Sequence, residues 1–322
     1  MHYVNLGSAG VKVSRVALGC LTFGSKKWRP WVLEEDEAVP LIKRALDNGI
    51  NFFDTADFYS LGASEEVLGR ALRRLGVPRQ RVVISSKVGL PVGDDVNARG
   101  LSRKHIRHAI DDSLVRLGVE YLDLYQIHRF DAATPMDETI AALDEVVRSG
   151  RALYLGASSM HAWRFARLLA RCDAARTARF ATMQSHYNLV YREEEREMIP
   201  LCVAEGVGVL PWSPLARGFL AGSRGTVRGE TDDIARRFYT HESDSAVLAR
   251  VGDIARRRGV SNAQVALAWL ARQPGVVAPL IGATKPHHID DACAALELNL
   301  DDAEMKRLGD AYQPHPVIGH HA

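Results

Sequence analysis

The stretch NFFDTADFYS, residues 51–60, begins as an apolar strand and ends in chemically active side chains. Placing a carboxylate at the end of a buried run costs free energy unless a partner or a function requires the group. Asp54 follows directly after the two phenylalanines, and Tyr59 comes five residues later. The stretch therefore predicts a buried strand whose carboxyl end leads into a functional loop.

Apolar runs of this kind recur along the whole chain. Eight are found, at 14–20, 50–55, 81–87, 122–128, 152–159, 180–186, 206–213 and 276–282. Near-continuous apolar runs of this length are typical of strands in a parallel sheet that is covered on both faces. Amphipathic stretches predict helices near 34–47, 64–76, 102–117, 135–149, 161–171, 192–205 and 285–296. This alternation predicts an α/β protein with one (β/α)8 TIM barrel domain over residues 1–322.

Three local features refine the predicted barrel. Residues 3–14 contain a glycine-centred turn between apolar flanks and predict a hairpin that caps one end. Ser64 and Gly76 are the expected N-cap and end of the helix between them. Residues 213–243, between the seventh and eighth runs, form the longest stretch without a predicted strand or strong helix. A loop of that length is usually functional.

Composition limits the possible partners. The 41 basic and 39 acidic residues give a formal charge of +2, which provides no electrostatic case for nucleic acid or an anionic membrane. The four cysteines are too scattered for a paired metal motif, so we expect no metal and a reducing compartment. No apolar run approaches the roughly 20 residues of a membrane span. We expect a cytoplasmic protein.

Polar residues lie where the predicted strands end. In a barrel of this class, the carboxyl ends of the strands form the active site. These ends carry Asp54, Lys87, His128, Ser158, Ser159, Gln184, Trp212 and Ser213. One such residue alone would mark only the start of an exposed loop. Together they predict an active site at a single mouth.

Three of these side chains, together with Tyr59 from the loop after Asp54, suit the reduction of a carbonyl group. Lys87 beside Tyr59 would lower the pKa of the phenol, and Asp54 would keep the lysine charged and oriented. His128 could donate a hydrogen bond to the substrate oxygen. Hydride must come from a cofactor, and the absence of GxGxxG excludes a Rossmann site for it.

The motifs LGCLTFG, INFFDTADFYS, ISSKVG, YLDLYQIHRFD, YLGASS, MQSHYNLV, VLPWSPLARGFLAG and IGATKPHHI occur in this order between about residues 3 and 312. In this pattern the chain resembles the aldo-keto reductase family. The resemblance implies a catalytic tetrad of Asp54, Tyr59, Lys87 and His128, with Tyr59 as the general acid. It further suggests bacterial members sometimes labelled deoxyxylulose phosphate synthase. We discount that label because the chain has no thiamine diphosphate motif.

The resemblance also implies a nicotinamide cofactor. Its carboxamide would contact Ser158, Ser159 and Gln184, and its ring would stack on Trp212. Ser213 and Leu215 would approach the pyrophosphate, and Arg217 would belong to the same site. A segment at 282–288, with Gly282, Thr284, Lys285 and His288, would hold an adenosine 2′-phosphate.

The cofactor segment departs from the family pattern at its end. His288, Asp291 and Ala292 stand where members commonly have Arg or Gln and then Glu-Asn, so adenine contacts are expected to be weaker. Lys285 and His288 still supply positive charge for a 2′-phosphate, which favours NADP(H) over NAD(H). The alternative for Lys285 is a solvated lysine at the start of a helix.

Other patterns have competing interpretations. Trp28, Trp31 and Phe58 could line a pocket for an aryl or apolar aldehyde, or the tryptophans could pack only within their own loop. The run Glu193 to Glu197 is expected to be a solvated helix face. The histidine pairs at 287–288 and 320–321 lack the spacing of a metal site.

Two functions remain open from the sequence. One is an NADPH-dependent reductase acting on a small-molecule aldehyde or ketone. The other is a catalytically weak subunit that senses nicotinamide for a protein partner, similar to the β-subunits of potassium channels.

Overall fold

The computed structural model describes residues 1–222 and 231–320. Its strands are β1 Tyr3–Asn5, β2 Lys12–Ser14, β3 Ala17–Gly19, β4 Phe52–Asp54, β5 Val83–Val88, β6 Leu122–Ile127, β7 Ala152–Ser158, β8 Phe180–Gln184, β9 Gly208–Val209 and β10 Leu280–Ile281. The last eight form one parallel sheet in the order β10-β3-β4-β5-β6-β7-β8-β9. Each of the eight predicted apolar runs contains one of them, apart from the last residue of β5.

Backbone hydrogen bonds close this sheet on itself. The amide of Val209 in β9 donates to Gly275 at 2.9 Å, and the amide of Val277 donates back to Val209 at 2.9 Å. The amide of Leu280 in β10 donates to Pro211 at 2.9 Å. The segment that leads into β10 therefore joins β9, and the predicted (β/α)8 barrel is confirmed.

Helices surround the barrel. They are α1 Glu35–Asp47, α2 Ala63–Arg74, α3 Arg103–Leu117, α4 Met136–Arg148, α5 Ala162–Ala175, α6 Met198–Ala204, α7 Asp233–Phe238, α8 Glu242–Arg258, α9 Asn262–Ala271, α10 Pro286–Ala295 and α11 Asp302–Gly309. Two predicted starts are wrong. Gly62, not Ser64, occupies the N-cap of α2, because the Ser64 hydroxyl donates to the Cys20 carbonyl at 2.7 Å. Helix α6 begins six residues later than expected, after a 3-10 turn.

Helices α8, α9 and α11 were not predicted from the sequence. In α9 every residue from 265 to 271 is buried, so the helix lacks the polar face that marks an amphipathic pattern. Helix α7 lies within the stretch 213–243 that was expected to be a loop. Residues 223–230 of that stretch lie outside the described residues.

The N-terminal hairpin of β1 and β2 covers the amino-terminal end of the barrel. Leu6 and Val13 are buried in one cluster with Phe52, Val83 and Leu124, which lie near the starts of β4, β5 and β6. The predicted cap is confirmed. It leaves the carboxyl ends of the strands as the open mouth. No helix in the described part of the chain is both long and apolar enough to cross a membrane.

Candidate active site

A buried ion pair lies at the ends of β4 and β5. The Lys87 ammonium donates to Asp54 Oδ2 at 2.6 Å and to the Thr55 carbonyl at 2.7 Å. The Lys87 side chain is fully buried. Burial lowers the pKa of Lys87, but the adjacent Asp54 and Tyr59 together raise it by more, so the net shift of this pKa is upward. The lysine is therefore positively charged, as the sequence analysis expected.

The second carboxylate oxygen of Asp54 is held by three neutral donors. Ser85 Oγ, Gln126 Nε2 and Gln184 Nε2 each donate to Oδ1 at 3.0 Å. Sequence reasoning missed Ser85 and Gln126. Their signal was the two-residue period of a strand, because Gln126 points to the same face of the sheet as His128.

Tyr59 completes the predicted contact. Its hydroxyl lies 3.2 Å from Lys87 Nζ, and the ammonium also lies 4.8 Å from the centre of the ring. The expected net lowering of the Tyr59 pKa is wrong. Burial raises it by more than Lys87 lowers it, and Asp54 raises it further. The phenol thus keeps its proton at neutral pH, which is the form that a general acid needs.

A left-handed turn directs Tyr59 over the mouth. Ser60 and Leu61 both have φ of 51°, and Gly62 has φ of 93°. Left-handed conformations are costly for residues with a side chain and occur where neighbouring structure enforces them. Ser60 is buried, and its hydroxyl accepts a hydrogen bond from the Ser25 amide at 3.3 Å. The loop before α1 therefore fixes the turn that follows the tyrosine.

His128 directly follows β6, and its ring is nearly perpendicular to that of Tyr59, with the ring centres 5.6 Å apart. It is buried, and burial with the charges of Arg129 and Lys87 holds its pKa well below the usual range. Its Nδ1 has no hydrogen-bond partner among the described residues. A neutral imidazole with spare hydrogen-bonding capacity fits the predicted role of a donor to substrate oxygen.

Arg129 was not anticipated as a site residue. Its guanidinium donates to the His128 carbonyl at 2.6 Å and to Ser158 Oγ at 3.3 Å, and it lies 5.8 Å from the Trp212 ring. Burial lowers the pKa of Arg129 to about 10. A cation therefore lies between the tetrad and the residues expected to meet the nicotinamide.

The four residues expected around the nicotinamide are joined to each other and to the tetrad. Ser158 Oγ donates to the Gln184 carbonyl at 2.9 Å, and Gln184 reaches Asp54. Trp212 Nε1 donates to Ser159 Oγ at 2.9 Å, and the Trp212 ring remains partly exposed. The structure thus brings Ser158, Ser159, Gln184 and Trp212 to the predicted mouth.

The expected phosphate residues follow β9 in an irregular turn. Ser213, Ala216 and Arg217 have φ of 51°, 50° and 56°. Leu215 is half-buried between them. The Arg217 guanidinium forms a buried ion pair with Asp232 at 2.6 Å. An Arg217 contact to phosphate would therefore have to share the guanidinium with Asp232.

The segment 282–288 joins the carboxyl end of β10 to α10. Gly282 and Lys285 are exposed, and Lys285 is the N-cap of α10. The Thr284 amide donates to His288 Nδ1 at 3.3 Å. A helix N-terminus with an exposed lysine beside it is well suited to an anion. No described hydrogen bond joins this segment to the tetrad.

The expected solvated face of the run Glu193 to Glu197 needs correction. Glu193 and Glu194 are buried rather than solvated. Glu193 accepts from the Tyr312 hydroxyl and the His315 amide, and Glu194 pairs with His320 at 2.8 Å. These contacts tie the C-terminal tail, residues 311–320, to the barrel. No local sequence pattern encodes contacts between residues more than a hundred positions apart.

The tryptophans at 28 and 31 have different environments. Trp31 is buried, whereas Trp28 is half-buried and packs edge-on against Phe58, with ring centres 5.8 Å apart. Phe58 in turn packs edge-on against His128 at 6.3 Å. The pocket interpretation thus fits Trp28 and Phe58, and the packing interpretation fits Trp31.

Comparison with known proteins agrees with this geometry. The aldo/keto reductase family matches residues 15–313. A versiconal hemiacetal acetate reductase of Aspergillus parasiticus is 44% identical, over 98% of each chain. An aldo-keto reductase of Fusarium vanettenii is 41% identical, over 99% of this chain and 93% of its own.

A Schizosaccharomyces pombe protein that carries the name of an aryl-alcohol dehydrogenase is 41% identical, over 98% of this chain and 97% of its own. These fungal relatives do not support the expected likeness to the bacterial proteins labelled deoxyxylulose phosphate synthase. The family match and the near-complete alignments show that the chain belongs to the aldo/keto reductase family and is an NAD(P)H-dependent oxidoreductase.

Proposed function

We propose that the protein reduces aldehydes or ketones to alcohols with NADPH, and that Tyr59 is the general acid. The observation that carries this proposal is the continuous contact from Asp54 through Lys87 to Tyr59, with neutral His128 at the edge of the phenol. A bound NADPH would supply the hydride. The protein must supply the proton and stabilise charge on the carbonyl oxygen.

Each tetrad residue has one task in this account. Tyr59 gives its proton to the substrate oxygen as negative charge develops there. The Lys87 ammonium, 3.2 Å away, stabilises the phenolate that remains. Asp54 holds that ammonium in place. His128 donates a hydrogen bond that orients the carbonyl toward Tyr59.

The residues at the mouth fit a nicotinamide dinucleotide. The partly exposed Trp212 ring offers a stacking surface, and Ser158, Ser159 and Gln184 supply amide and hydroxyl groups beside it. Ser213, Leu215 and Arg217 would approach the pyrophosphate. Gly282, Thr284, Lys285 and His288 would hold the adenosine end. Lys285 at the start of α10 supports a preference for a 2′-phosphate.

We infer an aryl or apolar aldehyde as the substrate class. The rings of Trp28, Phe58 and His128 pack edge to face, each nearly perpendicular to the next, in a row that ends at Tyr59. Such a wall would hold an aromatic ring by dispersion and edge-to-face contacts. The aryl-alcohol dehydrogenase name of one relative agrees with this choice.

The test is initial-rate oxidation of NADPH and of NADH against matched aryl, alkyl and sugar-like aldehydes. We expect turnover with NADPH, highest for the aryl series, and a KM for NADPH that rises in Lys285→Ala while the KM for NADH stays constant. Lys12→Ala, an exposed lysine of the N-terminal hairpin at the opposite end of the barrel, is the matched control. Binding of NADPH without turnover of any aldehyde would favour a sensing subunit instead.

A further inference from the structure

Two stacked rings lie behind Trp212. The His186 ring is centred 4.2 Å from that of Trp212, with planes 12° apart. The Tyr191 ring is centred 4.0 Å from that of His186, with planes 13° apart. His186 is fully buried and lies between the other two rings. We call these three residues the ring column.

The hydrogen bonds of His186 fix the orientation of its ring. Its Nε2 lies 2.7 Å from the Tyr239 hydroxyl and 3.5 Å from Asn188 Nδ2. Asn188 Oδ1 accepts from the Val190 amide, so the nitrogen of this side chain is turned toward His186. That nitrogen also donates to the Ser213 carbonyl at 2.9 Å, so the shorter contact of the His186 ring is the one with the Tyr239 hydroxyl.

The surroundings oppose a charge on this ring. Burial, with a further effect from Arg217 and Arg129, holds the pKa of His186 well below the usual range. An imidazolium here would lie one ring away from the surface on which a nicotinamide would stack. Its charge would disfavour the oxidised cofactor, whose nicotinamide ring is itself positive.

The C-terminal tail contacts both ends of the ring column. At one end, the Ile318 amide donates to the Tyr191 hydroxyl at 3.0 Å, and that hydroxyl donates to the Ile318 carbonyl at 3.3 Å. At the other end, a Cβ added to Gly319 would lie 3.1 Å from the Trp212 ring. The tail therefore limits movement of Tyr191 and of Trp212.

We propose that His186 is a positioning residue that holds the Trp212 ring in the orientation needed to stack on nicotinamide. It would act only through Trp212, since that ring stands between it and the mouth. The proposal rests on the proposed function, which takes Trp212 as the stacking partner. Aromatic stacking of this kind corresponds to about a two- to tenfold change in a binding constant.

The first test is the Kd for NADPH, measured by ligand fluorescence without substrate, together with the near-ultraviolet circular dichroism of the free protein. In His186→Ala we expect a Kd about three- to tenfold higher and a changed tryptophan signal. His186→Phe, which keeps a stacked ring but loses the bond to Tyr239, should restore the Kd to within about twofold. His105→Ala, which truncates a buried histidine of α3, should leave the Kd unchanged.

A double-mutant cycle separates this inference from the proposed function. In a Trp212→Ala background, His186→Ala should add no further loss of NADPH affinity. An undiminished loss in that background would overturn the inference, because His186 would then act by another route. An unchanged Kd in Trp212→Ala alone would instead contradict the proposed cofactor site. If His186→Ala does not fold, His186→Gln removes the ring at similar volume and serves in the same cycle.

Discussion

Lys87 is a fully buried lysine at the centre of the site, and its surroundings show why it is there. Its ammonium is matched by one carboxylate and one carbonyl, and the same carboxylate accepts three neutral hydrogen bonds. Buried ion pairs of this kind contribute little net stability, because desolvation offsets their attraction. The free energy of desolvation that this ion pair costs is explained if the pair serves catalysis at Tyr59.

Asp57 is a second buried acid in the same loop, with a different environment. Neither side-chain oxygen has a hydrogen-bond partner among the described residues. Burial raises its pKa well above the usual range, the nearby Glu65 raises it further, and Arg116 lowers it. The folded protein therefore keeps Asp57 protonated at pH values where the unfolded chain ionises it.

Replacing Asp57 by Asn should stabilise the protein at neutral pH. The folded pKa is raised, so the wild type must take up a proton on folding once the pH exceeds the unfolded value of about 3.9. The stability gain in Asp57→Asn should be near zero at pH 4 and reach about 1 kcal/mol or more at pH 7. Urea unfolding at both pH values measures this gain. A gain independent of pH would contradict the assigned protonation.

The positions of the site residues were predictable from the sequence where strand ends determined them, but the electrostatics of these residues were not. The positions of Asp54, Lys87 and His128 follow from runs of apolar residues that end in polar ones. The direction of the Tyr59 pKa shift was wrong because burial, which depends on the whole fold, outweighs the neighbouring ammonium.

At the scale of elements, the N-terminal hairpin demonstrates how closely the cap fits the barrel. Gly7 has φ of 60°, and a Cβ built there would lie 2.4 Å from the Ala181 carbonyl oxygen and 2.6 Å from the Gly208 amide nitrogen. Both are backbone atoms that cannot rotate away. The turn requires glycine both for its conformation and for this close approach.

Gly7→Ala should destabilise the protein without changing its chemistry. We expect a loss of about 1–3 kcal/mol in the free energy of unfolding, from backbone strain and the displaced cap. The ratio kcat/KM should stay within twofold of wild type, because the hairpin lies at the end opposite the tetrad. Gly10→Ala, in the same turn but with open space at its Cβ, is the control. An equal loss in both variants would count against this packing argument.

Elements with a clear period were found from the sequence, and those without one were missed. Seven of the eight barrel strands lie within a predicted run and β5 extends one residue past its run, and α1, α3 and α4 lie within their predicted ranges. Helix α9 was not predicted, because residues 265–271 are all buried and show no polar face. The burial of Glu193 and Glu194 was not predicted, because it depends on the C-terminal tail, which contacts these residues only in the folded protein.

At the scale of the whole molecule, buried histidines link stability to pH. Burial lowers the pKa values of His105, His128 and His186. As the pH falls below about 6.5, these groups bind protons in the unfolded chain while the folded protein excludes them. Asp57, whose pKa is raised well above the usual range, has the opposite sign, and Asp123 and Asp244 share that sign with smaller upward shifts of their pKa values.

Stability should therefore fall as the solution is acidified from pH 6.5 to 5.5, by about 1–2 kcal/mol if two net protons are involved. Urea unfolding midpoints at pH 7.5, 6.5 and 5.5 measure this change. The decrease should be confined to the step below pH 6.5 and should be smaller in His105→Gln. Constant or rising stability across that step would show that these histidines are not kept neutral by the fold.

The claim that Tyr59 supplies the proton is tested most directly by comparing Tyr59→Phe with wild type in single-turnover reduction of an aryl aldehyde, alongside the Kd for NADPH. The phenylalanine removes only the hydroxyl that lies 3.2 Å from Lys87. Tyr3→Phe, at an exposed tyrosine of the hairpin, is the matched control. We predict that Tyr59→Phe binds NADPH within about threefold of wild type and loses at least about a hundredfold in the rate of reduction. A variant that reduced the aldehyde at the wild-type rate would show that another group donates the proton.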